Sequence, residues 1–381
     1  MILRNFCYYH DDEYRTGQAM VLADGHIRQL LADEDLSPDA RAAATDCGGM
    51  LLAPGFIDTQ VNGGGGVMFN SRPELETLDT MRRGHWCGGT TAMLPTLITD
   101  SQEHMQQAVA AVAQALDSLP GIIGIHLEGP HLNPARRGTH SPAFIRPFET
   151  LTESLLGHLP PQCCLLTVAP ETLPAGTIRR LREHGVHVSA GHTDATYAQI
   201  MAALAEGLDG FTHLYNAMTP MSSREPGVVG AALAHEHSWC GIIVDGIHLH
   251  PVTAALAIRA KARGRMVLVT DAMATIGSSR NYFRLYGETI RVQDGRCVNA
   301  EGALAGSALD MASAVRNCMS LPGLTLPEAL RMASLYPAQW LGLDRERGRI
   351  APGWRADLVL LNTALEVEKT WVGAEQVYAR P

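Results

Sequence analysis

The eight cysteines, at 7, 47, 87, 163, 164, 240, 297 and 318, include no CxxC pair. A chain of 381 residues needs no disulfide staples, so they read as reduced, mostly buried thiols. No apolar run approaches the roughly 20 residues that a membrane helix requires. The opening MILRNFCYYHDD lacks the basic start, long apolar core and small-residue cleavage site of a secretory signal. Positive charge is also in short supply: 30 Lys+Arg against 39 Asp+Glu leave a net charge of -9. That argues against any general affinity for nucleic acid or anionic membrane, although a local Arg/His pocket could still hold a small anion. The expectation is a cytoplasmic protein with neither nucleic acid nor membrane as partner.

The rest of the composition is that of a globular protein, with 46% hydrophobic residues, 18% charged, 37 Gly and 21 Pro. At 41.0 kDa the chain exceeds the usual size of one domain. Its ends resemble each other. AMVLADGHIRQLLA reads as strand, Asp-Gly turn and strand, and the C-terminal stretch from Gly348 alternates short apolar runs with Gly and Pro turns. Residues 1–52 and 346–381 are therefore expected to pair into a small β-sandwich domain, leaving 53–345 as a separate unit.

That unit has a repeated rhythm. Apolar runs begin near Leu51, Thr90, Gly121, Leu165, His187, Gly210, Gly241 and Met266. Between them lie segments of helical period such as SQEHMQQAVAAVAQAL and ATYAQIMAALAEG. Continuously apolar strands alternating with helices indicate a parallel sheet buried on both faces. Eight such units fit an α/β fold of the (β/α)8 TIM-like barrel type. An open doubly wound sheet is the alternative, but no GxGxxG follows the first strand. The NGGGGVMFN stretch lacks the GK[ST] of a phosphate-binding P-loop and reads as a flexible turn at the barrel mouth.

A barrel places reactive groups at the C-terminal ends of its strands. Seven of the eight apolar runs end in polar residues: Asp58, Gln60 and Asn62; Glu128; Glu171; His192 and Asp194; His213 and Asn216; Asp245 and His248; Asp271. One such residue alone is usually only a satisfied hydrogen-bonding group. Glu128, His192 and His213 together, after the third, fifth and sixth runs, are a catalytic metal set: a carboxylate and two imidazoles with a position left for water. Zinc suits these ligands best, and iron(II) or another divalent ion also fits. Asp271, in VLVTDAM, suits a general acid/base beside activated water; spacing equally permits a helix cap.

At this point the motifs carry a resemblance. APGFIDTQVNG, HLEGPHLNPARRGTH, SAGHTDAT, THLYNAM, REPGVVGAAL, DGIHLHP, VTDAM and LAGSALDM make the whole chain resemble the amidohydrolase superfamily, in its branch acting on N-acetylhexosamine 6-phosphates. The resemblance implies a metal-dependent deacetylase releasing acetate and glucosamine 6-phosphate from N-acetyl-D-glucosamine 6-phosphate, with the galactosamine epimer as alternative substrate. It implies Glu128, His192 and His213 as metal ligands and Asp271 as catalytic acid/base. Many superfamily members carry HxH after the first strand; here Gln60 and Asn62 replace those histidines, and neutral amides are poor zinc ligands, so a single tightly held ion is expected. Arg224, Asn216, the Ala217 N–H and His248 would bind phosphate or sugar, with His140 and Gln60 also at the substrate. A homodimer or dimer of dimers, sharing part of this site between subunits, is implied as well.

Overall fold

The computed structural model describes residues 1–299, 302 and 304–381. Eight parallel strands form the central sheet: β1 Phe56–Val61, β2 Thr90–Ile98, β3 Ile125–Glu128, β4 Cys164–Val168, β5 His187–Ala190, β6 Gly210–Phe211, β7 Trp239–Ile242 and β8 Met266–Leu268. Each pairs with its sequence neighbour, so the order around the sheet follows the chain. All nine residues of β2 are buried, as expected of a strand covered on both faces. The ring is drawn together past β8, where the Asp271 N–H donates to the Gln60 carbonyl at 3.0 Å and Val61 bridges Ala272. Asp58 stitches the same seam, accepting from the Thr270 hydroxyl at 2.5 Å and the Gln60 N–H at 3.2 Å. Burial pushes its carboxyl up to about 7 against the lowering effect of these donors.

The intervening helices start where their capping residues dictate. Ser101 caps helix Gln102–Ser118 through the His104 N–H at 3.1 Å. Thr196 and Gln199 form a complete capping box on helix Tyr197–Ala205. Pro251 opens helix Pro251–Ala260, at the first helical turn where its missing N–H costs nothing. Among the described residues no helix is long and apolar enough to cross a membrane.

The two ends of the chain join in a second, eight-stranded sheet. Its strands run Glu375–Ala379, Val367–Val372, Leu358–Leu361, Leu51–Pro54, Ile2–His10, Glu13–Ala23 and His26–Ala32, with the short Thr45–Asp46 beside Ile2–His10. The Asp24-Gly25 turn, with both residues at positive φ, closes the hairpin that the sequence announces. Phe6, Tyr8, Leu52 and Trp371 fill a core distinct from that of the barrel.

Three features depart from the sequence reading. The apolar run from Gly121 enters the barrel as a strand only at Ile125, because Gly124 takes φ +156° with its Cα face against the Cys163 carbonyl. NGGGGVMFN is a packed hairpin, Gly63–Gly64 with Val67–Met68, where a Cβ on Gly64 would lie 2.6 Å from His85. A four-stranded antiparallel sheet, from Tyr282–Leu285 through Leu304–Ser307, is inserted after β8. Tyr286 of that sheet donates its hydroxyl to the Thr99 carbonyl at 2.5 Å, tying the insertion to the barrel mouth.

The loop after β3 is anchored by His131, whose Nδ1 lies 3.1 Å from the Arg146 carbonyl and Nε2 2.9 Å from the Thr152 hydroxyl. Burial pushes this imidazole down to about 4. An unfolded histidine takes up its proton near pH 6.5 and the folded one resists until about pH 4, so stability is lost as pH falls across that window. His131→Gln should flatten the fall of unfolding free energy in urea between pH 6.5 and 4 by roughly 3 kcal/mol relative to wild type. Parallel pH curves for the two proteins would remove the assignment.

Candidate metal centre and active site

Glu128 ends β3 and is 2% exposed. Its Oε1 lies 3.2 Å from His192 Nε2 and 2.9 Å from His213 Nε2, and the two nitrogens are 3.0 Å apart. Ligand atoms around a tetrahedral zinc at about 2.0–2.1 Å would stand about 3.3 Å apart, so the triangle has the right size. Its chemistry points the same way. His192 Nδ1 is 2.8 Å from the Arg136 carbonyl and must carry the hydrogen, which leaves Nε2 a bare lone pair facing a carboxylate oxygen. His213 Nδ1 is buried without a partner, so that ring makes no other polar contact among the described residues. Two acceptors aimed at each other repel; a shared cation reverses the sign.

Without a metal, only a proton on an imidazole can relieve this triangle: burial alone would raise the Glu128 carboxyl, and hydrogen bonds and charge from His192 and His213 in their protonated form hold it well below the usual carboxylate range. Burial acts to lower His213, and Glu128 outweighs it and raises the imidazole. His140 is a third imidazole at the cluster, its ring 4.2 Å from that of His192 and its Nδ1 2.8 Å from the Thr99 hydroxyl. Burial, followed by the charge of its neighbours, holds it well below its ordinary value, so it is neutral. Ligand atoms of Glu128, His140 and His192 lie within 4.8 Å of one another, a looser set than the triangle with His213. The buried cluster can hold one metal ion.

The backbone around it is strained. His192 has φ +48°, His213 +31°, Ala217 +51° and Asp271 +51°. Side-chain-bearing residues in this region cost about 1–2 kcal/mol each and gather where function requires them. Gly191 precedes His192 because a Cβ there would meet Thr167 Cγ2 at 2.7 Å.

Asp271 completes the group. Its Oδ1 accepts from Asn62 Nδ2 at 2.6 Å and Gln60 Nε2 at 3.3 Å, and among the described residues no donor reaches Oδ2. Burial, then repulsion from Glu128, pushes its carboxyl up to about 6 against the pull of His213, His248 and Asn62. Gln60 also donates to Glu128 Oε1 at 3.2 Å, so it stands behind the cavity as a neutral bridge between two carboxylates.

Glu128, His140, His192, His213, Asn216, Ala217, His248 and Asp271 line one cavity of about 170 Å³, closed on one side by Leu304 and Gly306 of the inserted sheet. His248 is fixed by Asp245 at 2.6 Å, and the Ala217 N–H has no acceptor among the described residues. Arg224 is not brought there. It lies exposed in the loop before helix Gly227–Ala234. A larger cleft of about 500 Å³ between Gly66–Thr80 and the inserted sheet offers Arg72, Arg280 and Arg284 but no converging acid and imidazole, so it is not the reaction site.

Sequence reasoning missed the groups that hold the site. Arg136 acts through its backbone carbonyl and Thr99 through a hydroxyl in an apolar strand end, neither of which leaves a sequence signal. The inserted sheet did have one: Tyr286-Gly287 and Asp294-Gly295 are turn dipeptides between alternating apolar residues.

The family model described as "Amidohydrolase family" matches residues 51–377. The chain is 47% identical over 329 residues to N-acetylgalactosamine-6-phosphate deacetylase of Shewanella sp. (strain ANA-3), covering 86% of this chain and 83% of that one. It is 36% identical over 335 residues to N-acetylglucosamine-6-phosphate deacetylase of Haemophilus influenzae, covering 87% of each. Its structure superposes on the crystal structure of N-acetylglucosamine-6-phosphate deacetylase from Pasteurella multocida with a TM-score of 0.94 at 34% identity, over 100% of this chain and 99% of that one.

The geometry separates the two candidate ligand sets. His213→Ala should weaken zinc binding by more than the about 10–100-fold that loss of an outer hydrogen bond costs, measured by chelator competition. His140→Ala should leave it near wild type. The reverse result would put His140 in the metal's coordination shell instead.

Proposed function

Because the chain belongs to the amidohydrolase family, we propose that it hydrolyses the acetamide of an N-acetylhexosamine 6-phosphate, N-acetyl-D-glucosamine 6-phosphate in the first place. The products are acetate and glucosamine 6-phosphate. The observation that carries this reading is Asp271, a carboxylate with one oxygen fixed and the other free, in the same small cavity as the Glu128–His192–His213 triangle. A second reading, deacetylation of the galactosamine epimer, is favoured by the 47% identity to the Shewanella protein of that name.

Glu128, His192 and His213 would hold a single divalent ion, zinc by its preference for nitrogen and carboxylate ligands. When bound, that ion supplies Lewis acidity that activates water near neutral pH. Asp271 accepts the proton of the attacking water on its free oxygen and returns it to the amine nitrogen as the C–N bond breaks. Asn62 and Gln60 hold the carboxylate so that the transfer needs no rotation. His140 and His248, with Nδ1 engaged by Thr99 and Asp245, would meet the sugar through Nε2, and the Ala217 N–H beside Asn216 offers a donor to the phosphate end.

Arg224 lies outside the cavity, exposed and without a carboxylate partner among the described residues. Met221, Val252 and Leu256 are exposed as well, at 60%, 55% and 56%. We read this face as the contact of a homodimer, or of a dimer of dimers, through which Arg224 reaches the phosphate bound by the neighbouring copy. A cytoplasmic setting suits eight cysteines that are all free.

Acetate release from the two epimeric sugar phosphates, with metal-stripped and zinc-reconstituted protein, tests the reading. N-acetylglucosamine 6-phosphate should give the higher kcat/KM with zinc and no turnover without metal; the opposite sugar preference selects the second reading. Asp271→Asn should keep zinc and lose about 100-fold or more in kcat. Since the base must be ionised, the acid limb of kcat/KM should lie at or below about pH 6. A limb above pH 7, or near-wild-type turnover in Asp271→Asn, would refute the assigned role.

A further inference from the structure

Glu171 lies just past β4 in the turn Pro170–Thr172, outside the reaction cavity. Its carboxylate accepts three hydrogen bonds. Oε1 takes Asn133 Nδ2 at 2.9 Å and the Asp194 N–H at 2.7 Å, and Oε2 takes the Thr193 hydroxyl at 2.5 Å. The donors belong to the two loops that grip His192. The Asn133 N–H donates to the His192 carbonyl at 2.9 Å, and the Arg136 carbonyl, three residues on, fixes His192 Nδ1 at 2.8 Å. Arg136 Nε also reaches the Asp194 carboxylate at 2.8 Å, so the loops are pinned on both flanks of the imidazole.

We propose that Glu171 is a positioning residue for His192: its carboxylate ties the loop after β3 to the turn after β5, holding His192 in its left-handed conformation with Nε2 aimed at Glu128. The inference rests on the reading of Glu128, His192 and His213 as metal ligands. His192 at φ +48° stays there only if its surroundings over-determine it. Three charge-assisted bonds to residues on either side of the imidazole meet that need. The group must be a carboxylate. It faces only donors, and an amide in its place would set an NH2 against one of them. Asn133 and Thr193 then hold the His192 backbone from two different loops, and Glu171 is their common acceptor.

The test is zinc affinity by chelator competition for wild type, Glu171→Gln and Thr193→Val, at a temperature where circular dichroism shows each folded. Glu171→Gln should bind zinc about 10–100-fold more weakly, the usual range for an outer-shell partner. Its kcat should fall while KM for the sugar phosphate stays near wild type. Thr193→Val removes one of the three bonds to Glu171, together with the Ala195 N–H bond to the same hydroxyl at 3.1 Å, and should show a smaller loss in the same direction. A role confined to fold stability would lower the melting temperature and leave the zinc affinity of the folded protein untouched. That outcome in Glu171→Gln, or in Thr193→Val if Glu171→Gln does not fold, overturns the proposal. Wild-type protein lacking stoichiometric zinc would overturn the underlying metal reading as well, so the two failures are told apart by the wild-type measurement.

Discussion

A carboxylate at 2% exposure, closed in by two imidazoles, is the constraint around which the barrel mouth is organised. Removing a charge of this kind from water costs several kcal/mol, and the protein can recover that only with a partner of opposite sign. Among the described residues no lysine or arginine pairs with Glu128. What approaches instead are nitrogens, one of which is forced by the Arg136 carbonyl to present a lone pair. The site is therefore complementary to a small cation and to little else. The strained backbone of His192, His213 and Asp271 follows, because three strands must turn their terminal residues inward over a space a few ångströms wide.

Gln60 and Asn62 are neutral amides set between two acidic groups of the same mouth. Glu128 and Asp271 are like charges facing one cavity, and their repulsion is part of what raises Asp271 toward neutrality. Gln60 donates to both carboxylates and Asn62 to Asp271, at 2.6–3.3 Å. Amide donors soften the repulsion without adding charge and without competing as ligands. Under the proposed mechanism, these amides hold one oxygen of Asp271 and leave the other for proton transfer.

The barrel was legible in the sequence because parallel strands buried on both faces cannot hide their apolar runs, and all eight appear where such runs occur. The Glu128, His192 and His213 positions were legible because a buried strand end tolerates an acid or an imidazole only where something engages it. Periodicity failed at Gly124, where one glycine φ displaces the start of β3 without changing the apolar pattern. It also failed to separate the inserted sheet, whose alternating residues lay in a span already assigned to the barrel. Glu171 was visible as a polar strand end, but its partners are an amide, a hydroxyl and a backbone N–H on two distant segments. Such a connection exists only in three dimensions.

On the proposed function, the chemistry and the anion are served by different parts of the molecule, and the difference follows from what each requires. Proton transfer and metal ligation tolerate errors of only a few tenths of an ångström; these groups sit at or just past strand ends, and two of them have an outer partner, the Arg136 carbonyl behind His192 and Asn62 behind Asp271. A phosphate is a diffuse dianion that accepts donors over a broad range of directions, so it can be met by a loop N–H at Ala217 and a long flexible arginine. Arg224 sits on such a loop, exposed and outside its own cavity, a placement compatible with the phosphate role proposed for it. Sharing a site between two copies would place the seam where precision matters least, and the rigid triangle stays within one chain.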